Sequence, residues 1–252
     1  IPMVNDSTGN IAPISSELFS YAKALEISDL HTSLSDSGYR VIKSDNYELL
    51  IDVGNVGPDY QPAHAHSDTF NFELYVDQFP ILVDTGISTY EKNEMRQLQR
   101  STSSHNTVMI NNLEQSEIWG GFRVARRAKV FEVRSQLNSL SAKHTGYRKI
   151  GIIHQRSFSW YEDKILIIDS LSKSSKNKAV AYFHFHSGIT KPILKENKVI
   201  LEDKNISILF SGFADITISA YELCQGFNKT TKAFKLIVSF DKDLKTQIKL
   251  LK

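Results

Sequence analysis

The stretch Tyr-Glu-Leu-Leu-Ile-Asp-Val at residues 47–53 decides the fold. Its side chains alternate with a period of two, which is typical of a β-strand with one face in a core. The same alternation returns in four later runs, residues 70–76, 206–210, 216–218 and 234–240. A further run, Ile-Leu-Ile-Ile at 165–168, is apolar on both faces, as a central strand would be. The sequence therefore predicts many short strands.

Turn-forming residues separate these runs, for example Asp77-Gln78, Asn111-Asn112 and Gly226-Phe227-Asn228. Only residues 15–25 have helical spacing, with Ser15-Ser16-Glu17 as a capping region before the apolar positions. Many strands and few helices predict an all-β fold of two packed antiparallel sheets or a barrel. We expect one β-domain at residues 29–252, preceded by a helical lead-in at residues 1–28.

Composition excludes several classes of protein. The 252 residues contain 30 Lys and Arg against 28 Asp and Glu, so a net charge of +2 gives no drive toward nucleic acid. No apolar run reaches the 18 residues of a membrane span. Cys224 is the only cysteine, which excludes an internal disulfide and a Cys-rich zinc site. Because the chain starts at Ile1 with no visible signal peptide, we expect it to be a piece of something longer.

Polar residues that could carry chemistry are densest between residues 57 and 127. His64 and His66 are two positions apart, so on an extended chain their rings point to one face and can share a ligand. Asp84 follows a short apolar run, and His105 precedes another. His66, Asp84 and His105 form a reasonable three-ligand set for zinc.

Other interpretations of these residues stay open at this point. A His-x-His pair is often two satisfied or solvent-facing histidines, Asp84 can cap the turn at Thr85-Gly86, and His105 can be a hydrogen-bonded core residue. His66 and Asp68 with His105 also mimic the facial triad of a non-haem iron oxygenase.

Basic residues form a second group of candidates. In a strand, Arg123, Arg127 and Lys129 share one face and can meet carboxylates or sulfates, or they can be the charged face of a solvated edge strand. Arg96 and Arg100 are open to the same two interpretations.

A third polar group lies in residues 182–186, where Tyr182, His184 and His186 alternate with two phenylalanines. The alternation predicts an outward polar face opposite an aromatic one. Cys224 has no flanking histidine or helix start and is expected to be inert.

An ordered series of motifs runs through the chain. It comprises Gly57-Pro58-Asp59-Tyr60, His64-Ala65-His66-Ser67-Asp68-Thr69-Phe70, Val83-Asp84-Thr85-Gly86, Thr89-Tyr90, Arg96, Arg100-Ser101-Thr102, His105-Asn106-Thr107, Gln115-Ser116-Glu117, Trp119, Phe122-Arg123, His144-Thr145-Gly146-Tyr147, Gln155-Arg156-Ser157-Phe158 and Gly226-Phe227-Asn228. This series resembles the C-terminal domain of the heparinase II/III-like family of polysaccharide lyases, whose relatives include alginate lyases.

The resemblance implies a large antiparallel, supersandwich-like β-sandwich that follows an α/α-toroid, with residues 1–28 as the junction. It implies that His66, Asp84 and His105 match the family's zinc ligands and that His64 faces the substrate cleft. The zinc would lie about 6–7 Å along the chain from His64 and could brace the loop that presents this histidine. It is expected to be structural, because elimination by an imidazole and a phenol requires no metal-bound hydroxide. We also expect substrate contacts by Tyr60, Arg96, Arg100, Arg123 and Arg127.

The family's reaction is β-elimination at a uronic acid of an acidic polysaccharide such as a glycosaminoglycan. His64 is suited to neutralise the sugar carboxylate or to act as the general base, whereas the tyrosine that acts as general acid belongs to the toroid. We therefore expect little turnover by this chain alone. The expected partners are the polysaccharide and the toroid of the same polypeptide, and a homodimer is also possible. We expect the protein to be located in the bacterial periplasm or to be secreted. The alternative is a non-catalytic glycan-binding or polysaccharide-assembly module.

Overall fold

The computed structural model describes residues 2–9, 12–28, 35–176 and 178–251. Its two α-helices are α1 (Ser15–Ala24) and α2 (Glu94–Gln99), and its short 3-10 helices are Ser35–Ser37, Thr102–Ser104, Arg148–Ile150 and Glu202–Lys204. The strands are β1 (Tyr39–Lys43), β2 (Tyr47–Asp52), β3 (Phe72–Val76), β4 (Phe79–Leu82), β5 (Val108–Ile110), β6 (Glu117–Trp119), β7 (Arg123–Ala125), β8 (Val130–Gln136), β9 (Ser139–His144), β10 (His154–Trp160), β11 (Lys164–Leu171), β12 (Ala179–His184), β13 (Ile193–Lys195), β14 (Lys198–Leu201), β15 (Ile206–Gly226) and β16 (Lys229–Leu250).

Two antiparallel sheets make up most of the described domain, as the sequence predicts. The larger has the order β13-β14-β15-β16-β11-β10-β9-β8, and β12 pairs with both β16 and β5. The smaller has the order β1-β2-β3-β4, and β6 pairs with β7 as a separate ribbon. The described part of the chain contains no helix long and apolar enough to cross a membrane.

The core lies between the two sheets. Phe72 of the smaller sheet contacts Phe158 and Phe183 of the larger one, with ring centroids 5.7 and 6.3 Å apart in edge-to-face geometry. Inward positions of β2 such as Leu49 and Ile51 are fully buried in the same core. Interdigitation of the two inner faces identifies the fold as a β-sandwich.

The smaller sheet is also hydrogen-bonded to the larger one at the end of β4. The Val83 amide donates to the His184 carbonyl at 3.0 Å, and the His186 amide donates to the Ile81 carbonyl at 3.1 Å. Because of this bridge, the chain that leaves β4 lies beside the end of β12. The candidate site is built at that junction.

The predicted helical lead-in is confirmed as α1, but its capping is different. Ser15 is already helical, and Ile14 at the N-cap makes no side-chain hydrogen bond. No residue of α1 is buried, and Leu18, Phe19 and Tyr21 are each more than half exposed. The predicted boundary between residues 28 and 29 falls at residues 29–34, which lie outside the described part of the chain.

Two predicted short runs, 206–210 and 216–218, belong to one long strand, β15. Register shifts between Ser211 and Phe213 and between Phe213 and Asp215 separate them. A β-bulge adds a residue to one strand and so resets the alternation of faces. The sequence pattern is interrupted at this point although the strand continues.

Two other details of the sequence-based interpretation are wrong, and one is confirmed. Phe70 is not part of β3, because its φ of +69° places it in a left-handed turn before the strand. His184 does not face outward but is fully buried, since β12 is covered on both sides. The central strand predicted for 165–168 is confirmed, because β11 lies between β16 and β10.

Candidate functional site

Three connections from the smaller sheet and its neighbours carry the candidate residues. His64 and His66 lie on the long connection between β2 and β3, Asp84 follows β4, and His105 lies between a 3-10 turn and β5. The N-terminal segment 2–9 returns to these connections and contributes Asp6. The site therefore combines residues distant in sequence that are positioned by strand ends.

One carboxylate, that of Asp6, binds both histidines of the His-x-His pair. Its oxygens lie 2.7 Å from His64 Nδ1 and 2.8 Å from His66 Nε2, and both oxygens also accept from the Arg96 guanidinium. Burial alone would raise the pKa of Asp6, but hydrogen bonds from His66 and Arg96 lower the pKa far below its usual range. Asp6 is therefore ionised and acts only as an acceptor.

The two rings of the pair have different surroundings. The His64 side chain is 61% exposed, whereas that of His66 is fully buried. Burial lowers the pKa of His66, so its ring is neutral at pH 7. Tyr90 and Phe122 flank the His64 ring, with centroids 6.1 and 5.8 Å away. His64 is thus the ring of this pair that is open to a ligand.

A second carboxylate, that of Asp84, orients His105. Asp84 Oδ2 accepts from His105 Nδ1 at 2.8 Å and from the Asn71 amide at 2.6 Å, while Oδ1 accepts from the Gly86 backbone N–H at 3.0 Å. Gly86 has a φ of +65°, a conformation that favours glycine. Burial would lower the pKa of His105, but Asp84 raises it to about 9.

Two buried asparagines connect these loops. The Asn106 backbone N–H donates to Asn71 Oδ1 at 2.8 Å, and the Asn106 side-chain amide donates to the Phe72 and Val83 carbonyls. Asn106 Oδ1 in turn accepts from the His184 backbone N–H at 2.7 Å. These bonds satisfy backbone groups where strands end, which a buried loop requires.

A polar chain inside the larger sheet supports the site from behind. Arg156 donates two hydrogen bonds to Asp169, at 2.7 and 2.9 Å, and two more to the carbonyls of Phe70 and Asn106. His154 Nε2 donates to Asp169 at 2.7 Å, and the His144 ring lies 2.8 Å from His154 Nδ1. Arg156 thereby joins β10 to two loops of the site.

The predicted zinc ligands lie next to one another. The His66 and His105 rings are 5.3 Å apart between centroids, and His105 is bonded to Asp84. Among the residues that the structure describes, no three His, Cys, Asp or Glu side chains are arranged to hold a metal ion. Zinc ligation by the predicted set stays a prediction.

Two of the three predicted ligands have the chemistry that a metal requires. His66 Nδ1 and His105 Nε2 are buried nitrogens without a hydrogen-bond partner. The other nitrogen of each ring is bonded to a carboxylate, as in metal-binding histidines whose second nitrogen is held. A divalent cation would satisfy both free nitrogens and replace the proton that Asp84 favours on His105. Asp84 is placed here to orient His105.

The structure does not offer all the predicted substrate contacts to solvent. Arg96 and Arg100 are fully buried, because their guanidinium groups satisfy Asp6 and main-chain carbonyls, among them those of Ala65 and Gly121. Neither guanidinium reaches solvent in this structure, so direct contact of Arg96 or Arg100 with a substrate stays a prediction.

The remaining predicted contacts do not share a strand face. Arg123 is exposed in β7, but β7 ends at Ala125 and Arg127 lies beyond it. Arg127 is bonded to Asp59 at 2.7 Å, beside Tyr60, which is 90% exposed. The prediction of a common face for Arg123, Arg127 and Lys129 is wrong, although Tyr60 and Arg123 are accessible.

A cavity of about 420 Å³ is lined in part by Asn5 and Asp68, which are neighbours in sequence of the site residues. Asp36, Asp52 and Asp68 contribute to its lining. Burial and the neighbouring Asp68 raise the pKa of Asp52 well above its usual range. The carboxylates of Asp36 and Asp68 in this lining would repel an anionic sugar, so the face with His64 is the better candidate for an acidic ligand.

Sequence reasoning missed Asp6, Asn71 and Arg156. Asp6 lies in a segment that reads only as a polar loop, and it meets its partners 58 or more residues away. The buried asparagines and Arg156 fall within or beside conspicuous motifs, but nothing local distinguishes a polar side chain that bonds distant carbonyls.

The chain is similar in sequence to one protein family and similar in fold to several solved structures. Residues 28–251 match the family model described as "Heparinase II/III-like, C-terminal". No curated protein sequence matches the chain. Similar solved structures include a mutant of the heparan sulfate lyase HepC from Pedobacter heparinus, which is 18% identical with a TM-score of 0.74 over 98% of this chain and 43% of that chain.

Two further solved structures have the same fold. A heparinase III gene product is 15% identical with a TM-score of 0.74, over 98% of this chain and 43% of that one. A structure described as heparinase III is 14% identical with a TM-score of 0.72, over all of this chain and 45% of that one. The chain thus spans less than half the length of these proteins. It belongs to the heparinase II/III-like family, as the family's C-terminal β-sandwich domain.

Proposed function

We propose that this domain supplies the cleft histidine, His64, for β-elimination of a uronic-acid-containing polysaccharide. The observation that carries the proposal is the contrast within the His-x-His pair. His66 is fully buried, while His64 is 61% exposed with its Nδ1 bonded to Asp6. An imidazole held at one nitrogen and open at the other is suited to proton transfer or to binding a carboxylate.

The proposed chemistry assigns His64 to the reacting sugar. In β-elimination a base takes the proton at C5, the sugar carboxylate is stabilised as the enolate-like intermediate forms, and the C4–O bond breaks as the leaving oxygen is protonated. The open Nε2 of His64 either donates to the sugar carboxylate or accepts the C5 proton. The acid for the leaving oxygen is proposed to come from an N-terminal domain, so the isolated chain is expected to turn over little substrate.

The test is His64→Ala in the full polypeptide, incubated with acidic polysaccharides. Release of unsaturated uronide, measured by ultraviolet absorbance, should fall at least about 100-fold. His186→Ala is the matched control, because His186 is half-buried and bonds only to the Gly188 amide among described side-chain hydrogen bonds. Unchanged release by His64→Ala would remove His64 from the mechanism. Polysaccharide binding without any elimination by the wild type would select the glycan-binding alternative.

We further propose that His66 and His105 hold a zinc ion through their free nitrogens, with Asp84 as ligand or as orienting group. The zinc would stabilise the loop that carries His64. Elemental analysis of the purified full polypeptide should find about one zinc per chain, and His105→Ala should lose it while His186→Ala retains it. Wild-type protein without stoichiometric metal after refolding with zinc would contradict this proposal.

A preceding helical domain of the same polypeptide is the proposed partner of α1. Leu18, Phe19 and Tyr21 are 51%, 67% and 65% exposed on this helix. Contiguous exposed apolar side chains mark interaction sites. In hydrogen exchange of the full polypeptide, α1 amides should be protected far more than those of the exposed turn at Leu137. Equal exchange at the two places would show that nothing covers α1.

A further inference from the structure

The N-terminal segment 2–9 is a built part of the site. Its Met3 backbone N–H donates to the buried Glu73 carboxylate at 2.8 Å, and its Asn5 amide donates to the Tyr39 hydroxyl at 2.8 Å. Between these anchors and the rest of the chain, the Asp6 side chain is only 5% exposed. The segment therefore carries Asp6 to a defined place beside His64.

Arg96 holds the Asp6 carboxylate in a fixed orientation. Its two terminal nitrogens bind the two carboxylate oxygens, and its Nε donates to the Gly121 carbonyl at 3.0 Å. The guanidinium also lies over the Tyr90 and Phe122 rings, 5.1 and 4.9 Å from their centroids. These are the same rings that flank His64. A two-point contact of this kind fixes direction as well as distance.

The carboxylate decides where each ring carries its proton. Because Asp6 can only accept, His64 must present Nδ1–H to it and His66 must present Nε2–H. The neutral His64 ring then has its lone pair on Nε2. The neutral His66 ring has its lone pair on Nδ1, which is the buried nitrogen without a partner.

We propose that Asp6 is a positioning residue that fixes the tautomer and orientation of His64. The inference deepens the proposed function and rests on it for its catalytic consequence. A carboxylate that merely blocked the substrate site would be exposed and replaceable, whereas Asp6 is buried and fully bonded. The role resembles that of a buried aspartate that sets the tautomer of a catalytic histidine.

The primary test is NMR of the full polypeptide with isotope-labelled histidine rings. Wild-type His64 should be in the Nδ1–H form, and Asp6→Asn should give a mixture of tautomers, because one amide oxygen cannot replace two carboxylate oxygens. Asp6→Glu should restore part of the Nδ1–H form. Asn5→Ala is the matched control, since it loosens the same segment without contacting His64 and should leave the tautomer unchanged.

Kinetics provide the second readout. With an acidic polysaccharide, Asp6→Asn should lower kcat about 100-fold and leave KM within about twofold, because the buried carboxylate acts on the base and does not touch the substrate. A wild-type His64 in the Nε2–H form overturns the proposal even if no variant folds. Tighter polysaccharide binding by Asp6→Ala overturns it in favour of a blocking role. If His64→Ala retains elimination, the proposed function fails, and the NMR result still decides whether Asp6 sets the ring.

Discussion

The buried pair of Arg156 and Asp169 allows a sharp prediction about stability. Asp169 is fully buried and accepts three hydrogen bonds, two from Arg156 and one from His154. Asp169→Asn keeps the size of the side chain but removes one acceptor oxygen and the charge. Arg156 is then a buried guanidinium without its counterion.

The expected loss in the free energy of unfolding is large because the ion pair is fully buried, away from water. Removing one member of a buried ion pair costs about 3–5 kcal/mol. The pKa of Asp169 provides a second indication of the stabilisation. Burial would raise this pKa, but Arg156 and His154 lower it from 3.8 to about 2. A depressed carboxyl pKa stabilises the fold above pH 3.8, and about 2 kcal/mol is lost as the pH falls through about 2.

The assay is urea unfolding of wild type and Asp169→Asn at pH 7 and at pH values down to 3. The difference in unfolding free energy between the two proteins should be largest at pH 7 and should narrow by about 1 kcal/mol by pH 3. At pH 3 the Asp169 carboxyl of the unfolded wild type takes up a proton, while that of the folded protein stays ionised. Glu132→Gln is the matched control, since Glu132 pairs with Lys143 at the same 2.7 Å but in solvent, where water screens the charges. A loss for Asp169→Asn no greater than for the control would refute the reasoning.

Two further predictions concern Glu73 and the core. Burial raises the pKa of Glu73 from 4.5 to about 7, so the fold should lose about 3 kcal/mol of stability as the pH rises from about 4.5 to above 7. Glu73→Gln should flatten that dependence in urea unfolding, and an unchanged slope would contradict the assignment. Phe183→Ala should cost about 3–5 kcal/mol because Phe183 fills the space between the sheets. Leu137→Ala, which alters a side chain that is 91% exposed, should change the free energy of unfolding by no more than about 0.5 kcal/mol. Equal losses for Phe183→Ala and Leu137→Ala would contradict the position of the core.

The strands were predictable because their signal is local. Residues 47–53 and 234–240 alternate since one face of each strand packs against the opposite sheet, and burial follows that alternation in β2 and β16. The pattern was misleading where packing changed. Phe70 turns through a left-handed conformation before β3, and bulges near Phe213 interrupt the alternation inside β15.

The candidate site was predictable only in part. His66, Asp84 and His105 were singled out by residue type, and the fold brings them side by side. Residue type did not distinguish an arginine that faces a ligand from one that is buried, and Arg96 is enclosed because it meets a carboxylate 90 residues earlier in the chain.

By itself the sequence determined the antiparallel β fold and the helical lead-in and singled out the candidate histidines, since strand periodicity and ordered motifs are written along the chain. Only the tertiary structure decided which histidine is open and which carboxylate holds it. Burial and hydrogen-bond partners depend on segments far apart in sequence, as Asp6 and His64 are. No local sequence pattern predicts such a long-range contact, because the contact results from the way the strand ends pack together.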